Sequence, residues 1–190
     1  MLPHYKLSAP LRRPTDPSPD SSCSRNVYSA TPSKRFIAWY FLKTEDNSQQ
    51  NQNFIMSHLQ YFSYKGVGER NRQKFKYSQA VRIGDRIECA GQGGWNRETG
   101  EFYREINEQI DQAFANVEHN LKDAGGEGWN QVFRVNSYHV PINDEALAAM
   151  VRNFEKYMPG HQPIWTCVGV TRLGEDDMRV EIEVVAHVPN

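Results

Sequence analysis

Residues 179–188 read RVEIEVVAHV, and their alternation decides the fold. Val180, Ile182, Val184, Ala186 and Val188 interleave with Arg179, Glu181, Glu183, Val185 and His187. A period of two makes this a β-strand with one apolar face and one mixed face. The apolar face needs a layer to pack against, and the chain supplies it upstream.

REINEQIDQAFANVEHNLKDAGG, at 104–126, sets Ile106, Ile110, Ala113, Phe114, Val117 and Leu121 at spacings of three and four. That is the stripe of an amphipathic helix, with Gly125 at the C′ position ending it. INDEALAAMVRNFEKYMPG, at 142–160, repeats the pattern through Leu147, Met150, Val151 and Phe154 until Pro159-Gly160 stops it. QVFRVNSYHV at 131–140 and PIWTCVGV at 163–170 have strand composition. Ahead of them, YSQAVRIGDRIECAGQ at 77–92 reads as a β-hairpin turning at Gly84-Asp85, and ETGEF at 98–102 marks another turn. RNRQKFK at 70–76 reads as a solvated loop. Two helices on one side of at least five strands make an α+β layer whose other sheet face needs a cover, and a partner subunit is the simplest one.

The first 55 residues have a different character. SAPLRRPTDPSPDSS at 8–22 and SQQNQN at 48–53 offer too little apolar surface to offset the entropy of ordering, so 1–55 read as a mostly disordered extension and 56–190 as the domain. Up to Lys43 the extension holds seven basic residues against Asp16 and Asp20, a targeting-like balance; a dispensable tail, or translation starting at Met56, is the plainer reading. FIAWYFL at 36–42 is far shorter than the roughly 20 residues that span a bilayer.

A formal charge of −1 supplies no global attraction to nucleic acid or anionic membranes. Cys23, Cys89 and Cys167 are odd in number and contain no CxxC pair, which fits a reducing cytoplasmic setting, with a mitochondrial one as the alternative if the extension is a transit peptide.

Several motifs in one order resemble the Rid/YjgF family of enamine/imine deaminases: YSQAV at 77–81, AGQ at 90–92, ETGEF, QAFANVEHNLKDAG at 112–125, PIWTCVGVTRL at 163–173 and VEIEVVA at 180–186. The resemblance implies a chorismate-mutase-like α+β fold with two helices packed on one face. It also implies a homotrimer with its sheets inward and small-molecule clefts between subunits. In the family these clefts hydrolyse C=N bonds without metal or organic cofactor. By the same resemblance Glu181 matches the glutamate that holds the hydrolytic water, and Tyr77, Gly91, Gln92 and Cys167 match positions around the ligand. Read without it, Glu181 sits on the polar face of a strand with Glu183, and Cys167 is a small buried thiol.

One departure is chemical. Trp165 occupies the position of the arginine that clamps the substrate carboxylate, and Ala90 that of a serine. A guanidinium grips a carboxylate with two charge-assisted hydrogen bonds, whereas an indole has one N–H and no charge. The resemblance therefore implies a changed substrate, with Trp165 stacking on something planar or facing a cation. Arg134, Arg152 and Arg172 are candidates to supply the missing charge, and Trp95 a candidate second aromatic wall; loop tryptophans such as Trp95 and Trp129 more often pack a core edge. Three functions follow in order: a divergent deaminase or tautomerase, a non-catalytic trimeric binding or regulatory protein, and a ribonuclease.

Overall fold

The structure is a computed structural model that describes residues 56–189. The expectations for the extension, FIAWYFL and Cys23 lie outside these residues. Six strands form one mixed sheet in the order β1-β2-β3-β6-β4-β5: β1 Gln60–Phe62, β2 Ala80–Ile83, β3 Arg86–Gly93, β4 Val132–His139, β5 Ile164–Gly169 and β6 Val180–His187. Only β4 and β5 pair in parallel, because the crossover through a helix returns the chain in the same direction. The β2–β3 hairpin turns at Gly84, whose φ of 61° suits glycine.

There are three α-helices among the described residues: α1 Val67–Phe75, α2 Ile106–Asp123 and α3 Asp144–Tyr157. RNRQKFK, expected as a solvated loop, instead lies almost wholly in α1, a helix additional to the two that pack on one face of the sheet. Its buried residues are Val67, Gly68 and Asn71, so no apolar stripe advertises it.

All six stripe residues of α2 are buried against the sheet. The helix ends in a Schellman motif, with Gly125 N–H donating to Lys122 O (3.1 Å), Gly126 N–H donating to Leu121 O (2.9 Å), and Gly125 at φ 86°. In α3 the observed buried line is Ala146, Ala149, Met150 and Asn153, not the expected Leu147, Met150, Val151 and Phe154. The helix sits close to α2 on small residues, which leaves Val151 45% exposed.

α2 and α3 cover the face formed by Ile87, Val135, Ile182 and Val184. On α2's buried face, Gln109 Oε1 accepts from the Arg179 and Val180 N–H groups at 2.6 and 3.3 Å, which fixes where β6 begins. That sets the residue after Val180, which is Glu181.

Candidate functional site

The sheet face away from α2 and α3 carries the polar side chains. Asn136 and Tyr138 of β4 register with Glu183 and Glu181 of β6, and antiparallel partners share a face. Asn136 Nδ2 donates to Glu183 Oε1 at 3.3 Å. No protein donor reaches the half-buried Glu181 carboxylate among the described residues, so its proton affinity is governed by its surroundings. Burial, and then the neighbouring Glu183 charge, holds its carboxyl above the usual carboxylate value. The Tyr138 hydroxyl is likewise pushed up, by burial and then by the Glu183 and Glu181 charges, and stays a neutral donor.

Gly91 makes room for this carboxylate. A Cβ there would collide with Oε1, Cδ and Cγ of Glu181. The close approach arises at a β-bulge: Cys89 pairs with Val184 and Gln92 with Ile182, so two β3 residues, Ala90 and Gly91, oppose the single Glu183. Beside the bulge, Tyr61, Tyr77, Ser78, Ala90, Glu183 and Val185 line a recess of about 440 Å³. Tyr77 is held at its rim by a hydrogen bond from Asn71 Nδ2 to its hydroxyl (3.0 Å). Glu183 lines the recess, Glu181 stands two residues before it on the same face of β6, and two carboxylates beside Tyr138 can orient a water and move a proton.

Past the bulge, the Gln92 side chain turns away from this face. Its side chain is fully buried on the opposite side, accepting from Tyr64 Oη (2.9 Å) and donating to Gln79 Oε1 (2.9 Å). Trp95 belongs to the same network, donating to Tyr64 Oη at 3.1 Å, and packs in a satellite core with Tyr64, Val67 and Met178. It forms no wall with Trp165. Trp129 packs as loop tryptophans do, stacked on Phe114 at 4.5 Å.

Within one protomer Trp165 and Cys167 lie on the helix side of the sheet, since they register with Val135 and Ser137 of β4. Trp165 packs edge-on against Phe154 of α3 at 5.0 Å, and its N–H donates to Ser137 Oγ at 2.9 Å. Cys167 is half-buried rather than enclosed, whereas burial pushes the Cys89 thiol up to about 12. Trp165 and Cys167 are therefore not brought to Glu181 inside a single chain.

Of the candidate arginines, Arg152 is tied to Asp111 (2.8 Å) and Arg172 to Asp176 (3.0 Å). Arg134, in register with Val185, is the one on the Glu181 face. Ser137 Oγ and His139 Nε2 are 2.9 Å apart but both residues are fully buried, so this pair has no access to substrate. No three His, Cys, Asp or Glu side chains converge as a metal site among the described residues. No described helix is long and apolar enough to cross a membrane.

The model of the family described as Endoribonuclease L-PSP matches residues 69–188. The chain belongs to that family, which is the Rid/YjgF family. Its relatives include a RutC family protein of Pyrococcus abyssi, 34% identical over 112 residues that cover 58% of this chain and 85% of the relative. Another is YjgH of Escherichia coli, 33% identical over 60% of this chain and 84% of the relative. A third, from Dermatophagoides farinae, is named 2-iminobutanoate/2-iminopropanoate deaminase and is 32% identical over 57% of this chain and 83% of that protein. Among solved structures, YjgH superposes with a TM-score of 0.58 at 27% identity, covering 68% of this chain and 95% of that one. Escherichia coli TdcF with bound serine gives 0.54 at 25%, covering 60% and 88%. The α+β fold expected from the Rid/YjgF resemblance is thus the one observed.

Proposed function

We propose that this Rid/YjgF-family chain is an enzyme acting on a small enamine- or imine-type metabolite, with Glu181 as the group that positions and deprotonates water. The observation that carries the reading is the Glu181 carboxyl. It is half-buried, raised in proton affinity, free of protein donors and admitted onto the open sheet face by Gly91. In the reaction, Glu181 takes a proton from water as the oxygen bonds to the C=N carbon. It returns that proton to the nitrogen, giving a carbinolamine, and then carries the hydroxyl proton to the same nitrogen as the C–N bond breaks, so that imine plus water gives a carbonyl compound and ammonia. The name of the Dermatophagoides farinae relative supports the reaction class.

In this reading the open sheet face is covered by a homotrimer with its sheets inward. The β5 edge of one copy, with Trp165 and Cys167, then completes a cleft around Tyr77, Gly91 and Glu181 of the next. Trp165 brings no guanidinium there, so the substrate differs from 2-imino acids in lacking a carboxylate to be clamped.

The test is hydrolysis of freshly generated 2-aminoacrylate by the natural chain, Glu181→Gln and Trp165→Arg, with the assembly state measured for each. Slow turnover by the natural chain, gain in Trp165→Arg and loss in Glu181→Gln are expected. Undiminished turnover in Glu181→Gln overturns the mechanism. Trp165 has its N–H already committed to Ser137, and this favours a second reading, a non-catalytic trimeric binding protein. Ligand binding without turnover in all three chains assigns that function instead.

A further inference from the structure

A second recess, of about 560 Å³, lies on the helix side of β5, between the last turn of α3, the loop that follows and the start of β5. Phe154, Met158, Pro159, Pro163 and Trp165 give it apolar walls. Its one carboxylate is Glu155, and no lysine or arginine lines it.

Three features give this recess a sign. The indole of Trp165 spends its only N–H on Ser137 and lies at 79° to the Phe154 ring, and being partly exposed in the lining it offers a ligand aromatic surface and no donor. An aromatic face attracts cations. Glu155 sits in the last turn of α3, where the exposed carbonyl ends already carry partial negative charge. A carboxylate there is placed against the helix dipole, and Glu155 has no ion-pair partner among the described residues. Glu155 thus leaves an unpaired negative charge at the rim of the recess, where a cationic ligand can meet it. His161, also in the lining, turns its Nε2 to the Val132 carbonyl at 2.7 Å and adds no free donor there.

We propose that this recess binds an organic ammonium ion carrying an aromatic body, the ring against Trp165 and Phe154 and the charge toward Glu155. Glu181, Gly91 and Tyr77 do not line this recess, so it is a ligand site additional to the cleft proposed above. The inference rests on the reading above only in taking Trp165 as ligand-facing.

The experiment is isothermal titration of the full chain with benzyltrimethylammonium, and with phenylacetate as the anionic counterpart of similar body. The ammonium is expected to bind and phenylacetate to bind at least about tenfold more weakly. Glu155→Gln is expected to weaken ammonium binding about threefold and Trp165→Leu about tenfold, the range that desolvated cation–π and charge contacts support. Circular dichroism checks that each variant is folded; Glu155 is exposed, so Glu155→Gln carries the test if Trp165→Leu fails to fold. Glu181→Gln is expected to bind the ammonium unchanged, so loss of turnover and loss of this binding fail separately. Absence of binding at millimolar ammonium, equal binding of the two probes, or binding indifferent to Glu155→Gln overturns the proposal.

Discussion

The Trp165 indole on β5 donates to Ser137 Oγ on β4 at 2.9 Å, and the same oxygen pairs with His139 Nε2 at 2.9 Å. One buried hydroxyl thereby satisfies an edge-strand tryptophan and a core histidine. Ser137→Ala removes the shared partner and strands a fully buried imidazole nitrogen whose ring already has an unpartnered Nδ1. The expected cost is about 2 kcal/mol, the usual penalty of a buried polar group left unmade. Urea denaturation checks it: the midpoint falls at an unchanged m-value. A shift below about 0.5 kcal/mol means the indole and imidazole find water instead.

The Glu181 side chain occupies the space that a Cβ at Gly91 would fill. Gly91→Ala drives a methyl into the carboxylate, and the flexible glutamate side chain yields before the backbone does. Stability is expected to change by about 1 kcal/mol or less, while turnover falls about 100-fold because displacing a catalytic group by about an ångström costs that much. Retained turnover in Gly91→Ala removes Glu181 from the mechanism.

The local pattern of the sequence revealed α2, the hairpin and the two faces of β6, because apolar spacing of three, four or two is written within a few residues. What it hid depends on contacts between distant segments. Tyr138 joins the site only through the register that sets it opposite Glu181. Trp165 lies on the helix side because β5 runs parallel to β4 in one particular register. Gln92 turns its side chain inward because the extra residue at Ala90–Gly91 breaks the alternation, which strand periodicity alone does not announce. The buried line of α3 is offset from the expected stripe because it runs through Ala146, Ala149 and Asn153, small or polar residues that add little to a hydrophobic pattern.

Buried amides on α2 are a further hidden layer, and Asn116 shows their weight. It is fully buried, with Nδ2 donating to Gly93 O and Trp95 O, both at 2.8 Å, and Oδ1 accepting from Arg97 (3.0 Å) and Gln112 (2.8 Å). Asn116→Ala leaves two strand-end carbonyls without donors, and a loss of about 2 to 4 kcal/mol is expected. Thermal unfolding followed by circular dichroism reads it as a lowered Tm. An unchanged Tm means that water replaces the amide without penalty.

The raised Glu181 carboxyl also fixes the sign of a pH dependence. Its ordinary value is 4.5, and burial, then Glu183, lifts it in the folded chain. Between those two values the folded state binds more protons than the unfolded one, so stability falls as pH rises through the window. The penalty is absent below 4.5 and complete above the folded value. Glu181→Gln carries no titrating charge, so its stability relative to the natural chain grows as pH rises from 4.5 and levels off above the folded value. Turnover runs the other way, since a general base must be ionised: the natural chain loses activity as pH falls through the raised value. Glu183→Gln removes the second cause, and its pH–rate profile is expected to move toward lower pH. Urea titrations of both chains from pH 4 to 8, with pH–rate profiles of the natural chain and Glu183→Gln, test these signs, and parallel stability curves for the natural chain and Glu181→Gln would show an unperturbed, solvated carboxylate.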